Sequence, residues 1–140
     1  MSETQTSAPS SAARLGEREI DDRPLWPALR RGFRRRCPHC GEGHLLHSYL
    51  KVNEACDVCG EDYTAQRADD GPAYLTILVV GHVIGFVIHF LWSWFQPEPW
   101  VMATSLTTIA VVLSLWLLPR IKGAFVALQW SRRMHGFSVA

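Results

Sequence analysis

Residues 73–95 read AYLTILVVGHVIGFVIHFLWSWF, an unbroken stretch from Ala73 to Phe95 without a formal charge. As a helix, this stretch is about 35 Å long, enough to cross a hydrocarbon core of roughly 30 Å with some tilt. Gln96-Pro97-Glu98-Pro99 follows, and two prolines in four residues withdraw amide donors and end the helix. A second apolar run, WVMATSLTTIAVVLSLWLL, extends from Trp100 to Leu118 and at about 28 Å is just long enough to span. Trp92, Trp94 and Trp100 lie at the turn end, with Tyr74 and Trp116 toward the other, where an interfacial aromatic belt requires them. Residues 69–119 are therefore read as a transmembrane hairpin, with spans at about 73–95 and 100–118.

The bulk composition conceals this. A chain of 140 residues with 48% hydrophobic and 19% charged residues resembles an ordinary soluble protein. The charge is segregated, however: residues 1–73 hold most of the 14 Lys+Arg and all but one of the 13 Asp+Glu, and residues 74–119 carry only Glu98. No soluble surface stays solvated with so little charge, so a soluble enzyme with a large buried core is excluded. The turn carries no Lys or Arg, whereas basic residues flank both spans on the other side, downstream as Arg120, Lys122, Arg132 and Arg133. The positive-inside rule then predicts a multi-pass protein with both termini cytoplasmic. The first 36 residues offer no apolar segment of signal-peptide type.

All four cysteines lie in the polar half, as Cys37-Pro38-His39-Cys40-Gly41 and Cys56-Asp57-Val58-Cys59-Gly60. The C-x2-C-x15-C-x2-C spacing suits a tetrahedral zinc site, with a glycine after each pair to let the chain turn. Residues 37–68 are accordingly read as a small β zinc ribbon holding structural zinc through Cys37, Cys40, Cys56 and Cys59. The head is too short to bury a useful core, so the ion would supply folding energy on the order of 10 kcal/mol. Two disulfides would need an oxidising compartment, and a thioredoxin-like CxxC would need a βαβ unit that is absent. His39, His44 and His47 are alternative ligands, read as surface histidines because four thiols are already available. Four thiolates leave no open coordination position, and no catalytic constellation is visible.

Residues 1–22 read as a disordered tail. Residues 23–36 hold six arginines and no acid, with Trp26, Leu29 and Phe33 at helical spacing. They are read as a basic amphipathic segment whose Arg30, Arg31, Arg34, Arg35 and Arg36 contact anionic lipid or a partner, with nucleic acid as the less economical ligand. Asp70 or Gly71 is expected to cap the first span. Pro119 to Gly123 is expected to break the second, leaving residues 120–140 as a short interfacial helix and tail. Within the membrane, His82, Gly85 and His89 share one face of the first span. Residues equidistant from the Pro97–Glu98 bond lie at equal depth, which sets His89 level with Leu106 to Thr108 and His82 level with Val112 to Ser114. The His face is thus expected to pack on the Thr/Ser face of the second span, with Gly81 and Gly85 allowing close approach. Haem or copper ligation by these histidines is the rarer alternative.

CPHCGEGHLL, LKVNEACDVCGEDY, DDGPAYLTILVVGHVI and LLPRIKGAFVALQW, in that order, resemble the bacterial family known only as domain of unknown function 983. The resemblance runs from about Arg34 to His135. It implies an inner (plasma) membrane protein, and because such genes tend to sit among those for haem-copper cytochrome oxidase, a partner in that complex or among its assembly factors. The expectation is a non-enzymatic accessory protein. The alternatives are a metal- or redox-handling protein using the four cysteines, and a membrane-tethered nucleic-acid-binding module.

Overall fold

In the computed structural model, which describes residues 23–137, three helices follow one another: α1 (Leu25–Phe33), α2 (Gly71–Trp94) and α3 (Pro99–Ser131). The disordered tail expected over residues 1–22 lies outside the described residues. α2 and α3 form the hairpin, turning through Gln96 in the left-handed region (φ 42°). Val80 and Ile84 of α2 cluster with Ala110, Leu113, Leu117, Ile121 and Phe125 of α3. Only 11% of the most apolar window of α2 and 6% of that of α3 is buried within the molecule. Phe86 (75% exposed) and Trp100 (84% exposed) point outward, the reverse of a soluble core. Both helices are long and apolar enough to cross a membrane.

The start of α2 falls where expected but lacks a side-chain cap. Asp70 occupies the capping position, but with helical backbone (φ −94°, ψ −19°) and no side-chain bond to an amide. Pro72, which has no amide to satisfy, fills the first turn instead, and its carbonyl accepts from Thr76 Oγ1 at 2.7 Å. The Phe125 ring lies against Gly71, where an added Cβ would come within 2.8 Å of it.

A larger correction concerns the end of the second apolar run. α3 does not break at Pro119: it runs unbroken for 33 residues, about 50 Å at 1.5 Å per residue, well beyond the roughly 30 Å that a hydrocarbon core requires. Proline costs a helix its own amide and the bond that amide would give to the carbonyl four residues earlier, here Leu115. That carbonyl has found another donor, the Tyr49 hydroxyl of the head. Beyond Pro119 the helix is held by burial. Val126 and Ala127 are fully enclosed and Trp130 is 2% exposed, so this segment is the core of the head and not an interfacial helix.

The head between α1 and α2 contains no strands among the described residues. Three isolated antiparallel bridges, Arg36–His44, Leu46–Val52 and Ala55–Asp62, are all the pairing it achieves. Its Leu45 and Tyr63 pack with Ala28 of α1 and with Val126, Ala127 and Trp130 of α3. α1 meets α3 where two backbones touch: a Cβ on Gly32 would collide with the Gly123 carbonyl, and one on Gly123 with the Gly32 carbonyl. α1 is thus a helix, as expected, but its small face packs on α3; Trp26 is left outside (75% exposed). Arg23 bonds to the Trp130 and Phe137 carbonyls at 3.0 and 3.2 Å, and the Gln129 amide pairs with the Arg67 backbone in both directions at 2.8 and 2.9 Å. Gln129 is therefore buried with its polar atoms satisfied.

Candidate metal centre

Each CxxCG segment folds as a tight turn. The Gly41 amide donates to the Cys37 carbonyl at 2.9 Å, and the Gly60 amide to the Cys56 carbonyl at 3.0 Å. Both glycines sit in the left-handed region (φ 78° and 74°), where any side chain would be strained. The first cysteine of each turn also donates its amide to the returning chain, Cys37 to Gly43 and Cys56 to Glu61, both at 2.8 Å. The two turns therefore present their sulfurs to one another.

All four Sγ atoms lie within 4.8 Å of one another, with Cys37–Cys59 at 3.7 Å and Cys40–Cys56 at 3.8 Å. Four thiolates at about 2.3 Å from one ion would be separated by about 3.8 Å, whereas a disulfide needs about 2.0 Å. The sulfurs thus already mark the corners of a metal-sized tetrahedron. Cys37 and Cys56 are buried, Cys40 is half-buried and Cys59 is exposed. Gly43 closes one side so tightly that a Cβ there would strike Cys56 Sγ.

The electrostatics of the bare cluster ask for a cation. Burial opposes ionisation of Cys56, yet the amides of Cys59 and Val58 and the neighbouring thiols of Cys59 and Cys37 outweigh it and bring its thiol down to about 6. Burial and the adjoining sulfurs push Cys59 up to about 12, and burial raises Cys37 against its donors. Cys56 ionises readily while Cys37 and Cys59 resist, chiefly because burial disfavours their charged forms, and a bound cation would offset that cost. The Tyr63 hydroxyl is 1% exposed at the residue level and makes no normal hydrogen bond. Burial, followed by contact with Cys37, holds its phenol well above the usual range. This orphaned proton facing soft anions is the donor that metal thiolates accept from their surroundings. The cluster is a candidate metal site.

The histidines stand apart from it. His39 faces Glu61 (3.7 Å) and the Trp130 ring, and His44 faces Asp57 (3.8 Å). The predicted arginines divide. Arg31 donates to the carbonyls of Pro38 (3.1 Å) and His39 (2.8 Å), clamping the first turn to α1. Arg30 is exposed beside Trp26 in a cavity that Arg34 also borders, while Arg34, Arg35 and Arg36 together border a second one.

The expected packing of His82, Gly85 and His89 on the Thr/Ser face is overturned. These residues face away from α3, and nothing lies within 4 Å of a Cβ placed on Gly81 or Gly85. The hydroxyls are satisfied within their own helix, Thr104 by the Trp100 carbonyl (2.7 Å) and Thr108 by that of Thr104 (2.8 Å). The His82 ring likewise meets the Leu78 carbonyl at 2.7 Å. With polar groups served locally, α2 buries its aliphatic face instead. The spacing rule found the four sulfurs but not Tyr63, Gly43 or Tyr49, none of which belongs to a cysteine motif.

The family model described as "Protein of unknown function (DUF983)" matches residues 46–130. The chain belongs to this family. The match covers the second cysteine pair and both long helices, and begins after Cys37 and Cys40. No curated protein and no solved structure matches the chain.

Proposed function

We propose that the chain is a non-enzymatic membrane accessory protein, in which a structural zinc ribbon is mounted on the end of a two-helix anchor and contributes to assembly of a larger membrane complex. The observation that carries this reading is the closed set of four sulfurs, spaced for a tetrahedral ion and packed against the projecting end of α3. Such a site braces a surface and leaves no coordination position for substrate. Zinc suits four thiolates in a tetrahedron, and the three bridges are the rudiment of a ribbon. The basic residues gather at the head end of the hairpin, which supports a cytoplasmic head in a bacterial inner membrane. The outward Gly81/Gly85 and His82/His89 face of α2 is where a partner helix would pack, and a haem-copper cytochrome oxidase or its assembly factors are the partner the gene association favours.

Affinity purification from gently solubilised membranes tests this. Recovery of respiratory subunits is expected, reduced by Gly85→Leu with an unchanged melting temperature; failure to recover them refutes the partner. The exposure of Cys59 favours a second reading, in which the cysteines exchange metal. One zinc per chain that resists glutathione and copper supports the structural role, and ready exchange supports the alternative.

A further inference from the structure

Between α1 and the head lies a cavity of about 380 Å3 that the metal centre does not use. Arg34, Arg35 and Arg36 line it on one side, and His44, His47 and Tyr49 on the other. We propose that this cavity binds the phosphate of an anionic phospholipid, with the acyl chains lying along α3. The inference rests on the reading of α2 and α3 as membrane spans.

Charge supports it first. Among the described residues no carboxylate pairs with Arg34, Arg35 or Arg36, although the same head pairs Arg23 with Glu61 and His44 with Asp57. Three consecutive unneutralised guanidiniums repel one another, and a phosphate offers each of them strong acceptor oxygens. Backbone geometry supports it second. Arg35 holds the left-handed position that ends α1 (φ 62°), with its amide on the Gly32 carbonyl at 2.8 Å. Glycine is the inexpensive residue there, and the turn that Arg35 makes sets Arg34, Arg35 and Arg36 around one cavity.

Depth decides the class of ligand. Tyr49, in the cavity wall, bonds to the Leu115 carbonyl of α3. Beside it Phe33 meets Trp116 edge-on at 6.4 Å, and the Arg120 guanidinium covers the Trp116 ring at 4.2 Å. Tryptophan under arginine, at the point where charge first appears on α3, marks the headgroup level. Immediately below it, Leu115, Val112 and Val111 are more than half exposed and provide the apolar track for the chains. A soluble anion would use the arginines but have no use for that track.

Native mass spectrometry of the full chain in detergent, given phosphatidylglycerol and phosphatidylcholine of matched chain length, tests the proposal. Wild type is expected to retain phosphatidylglycerol preferentially. Arg34→Gln with Arg36→Gln is expected to lower that retention about tenfold or more, at roughly a factor of five per interfacial arginine. Arg67→Gln with Arg132→Gln, equal in charge but outside the cavity, is expected to leave retention within about a factor of two. Equal retention of both lipids by wild type overturns the proposal without reference to any variant. So does an equal loss in the control pair, or displacement of the lipid by inorganic phosphate or a short RNA at millimolar concentration. Carbonate extraction is read separately: a chain released from membranes fails the spanning reading itself, whereas one retained there without lipid preference fails only this inference.

Discussion

Tyr49 and Pro119 are strangers in the sequence, yet one answers a need created by the other. The proline leaves the Leu115 carbonyl without its helical donor, and the phenol supplies one. Tyr49→Phe is expected to cost about 1 kcal/mol, the usual net worth of a hydrogen bond. In a Pro119→Ala background the backbone amide takes over and the same change is expected to be nearly silent. Thermal melts of the four proteins in detergent give the coupling, and zero coupling removes the account. Cys56 yields a second expectation. Its folded pKa of about 6 lies below the ordinary thiol value of 9.0, so its thiolate stabilises the metal-free fold above pH 9, and that contribution is lost as pH falls through 6. Cys59 shifts the opposite way, to about 12, and its contribution is complete below pH 9 and lost only as pH rises through 12. Between pH 6 and 9 Cys56 therefore tilts stability upward with pH. For the same reason zinc loading is expected to release close to one more proton per ion at pH 5 than at pH 8 from Cys56, read with an indicator dye in weak buffer.

Among the helices, four glycines separate packing from propensity. Gly32→Ala and Gly123→Ala each drive a methyl into a backbone carbonyl and are expected to cost about 1–3 kcal/mol, loosening the head from α3. Gly81→Ala and Gly85→Ala meet open space and are expected to leave the melting temperature unchanged or slightly raised. Nothing local distinguishes the two pairs. The hairpin itself was legible, because absence of charge and paired prolines act on their own neighbourhood. The continuity of α3 was not: a proline reads as a break unless its orphaned carbonyl is known to meet Tyr49, 66 residues away. The His face failed for a related reason, since serine, threonine and histidine satisfied within one turn no longer need a partner helix.

Taken whole, the molecule stores its polar half on the tip of its apolar half. Chelation of zinc is expected to free the head while sparing α2 and α3. Trypsin is then expected to cut faster at Lys51 and Arg67, both exposed but carried on the folded head, while far-UV circular dichroism keeps most of its helical signal; a head cut no faster without metal would refute a structural ion. The clustering of the four cysteines was legible from spacing alone. Their enclosure was not, because contacts such as Arg23 to Trp130, 107 residues apart, leave no local trace. That enclosure sets an order of manufacture. Cys37 and Cys40 leave the ribosome long before Val126, Ala127 and Trp130, the side chains that wall them in. Until translation ends and the hairpin is inserted, the nascent thiols are open to whatever ions and oxidants the surroundings hold. A stop codon just after the second span would yield a correctly threaded anchor whose head has nothing to close against.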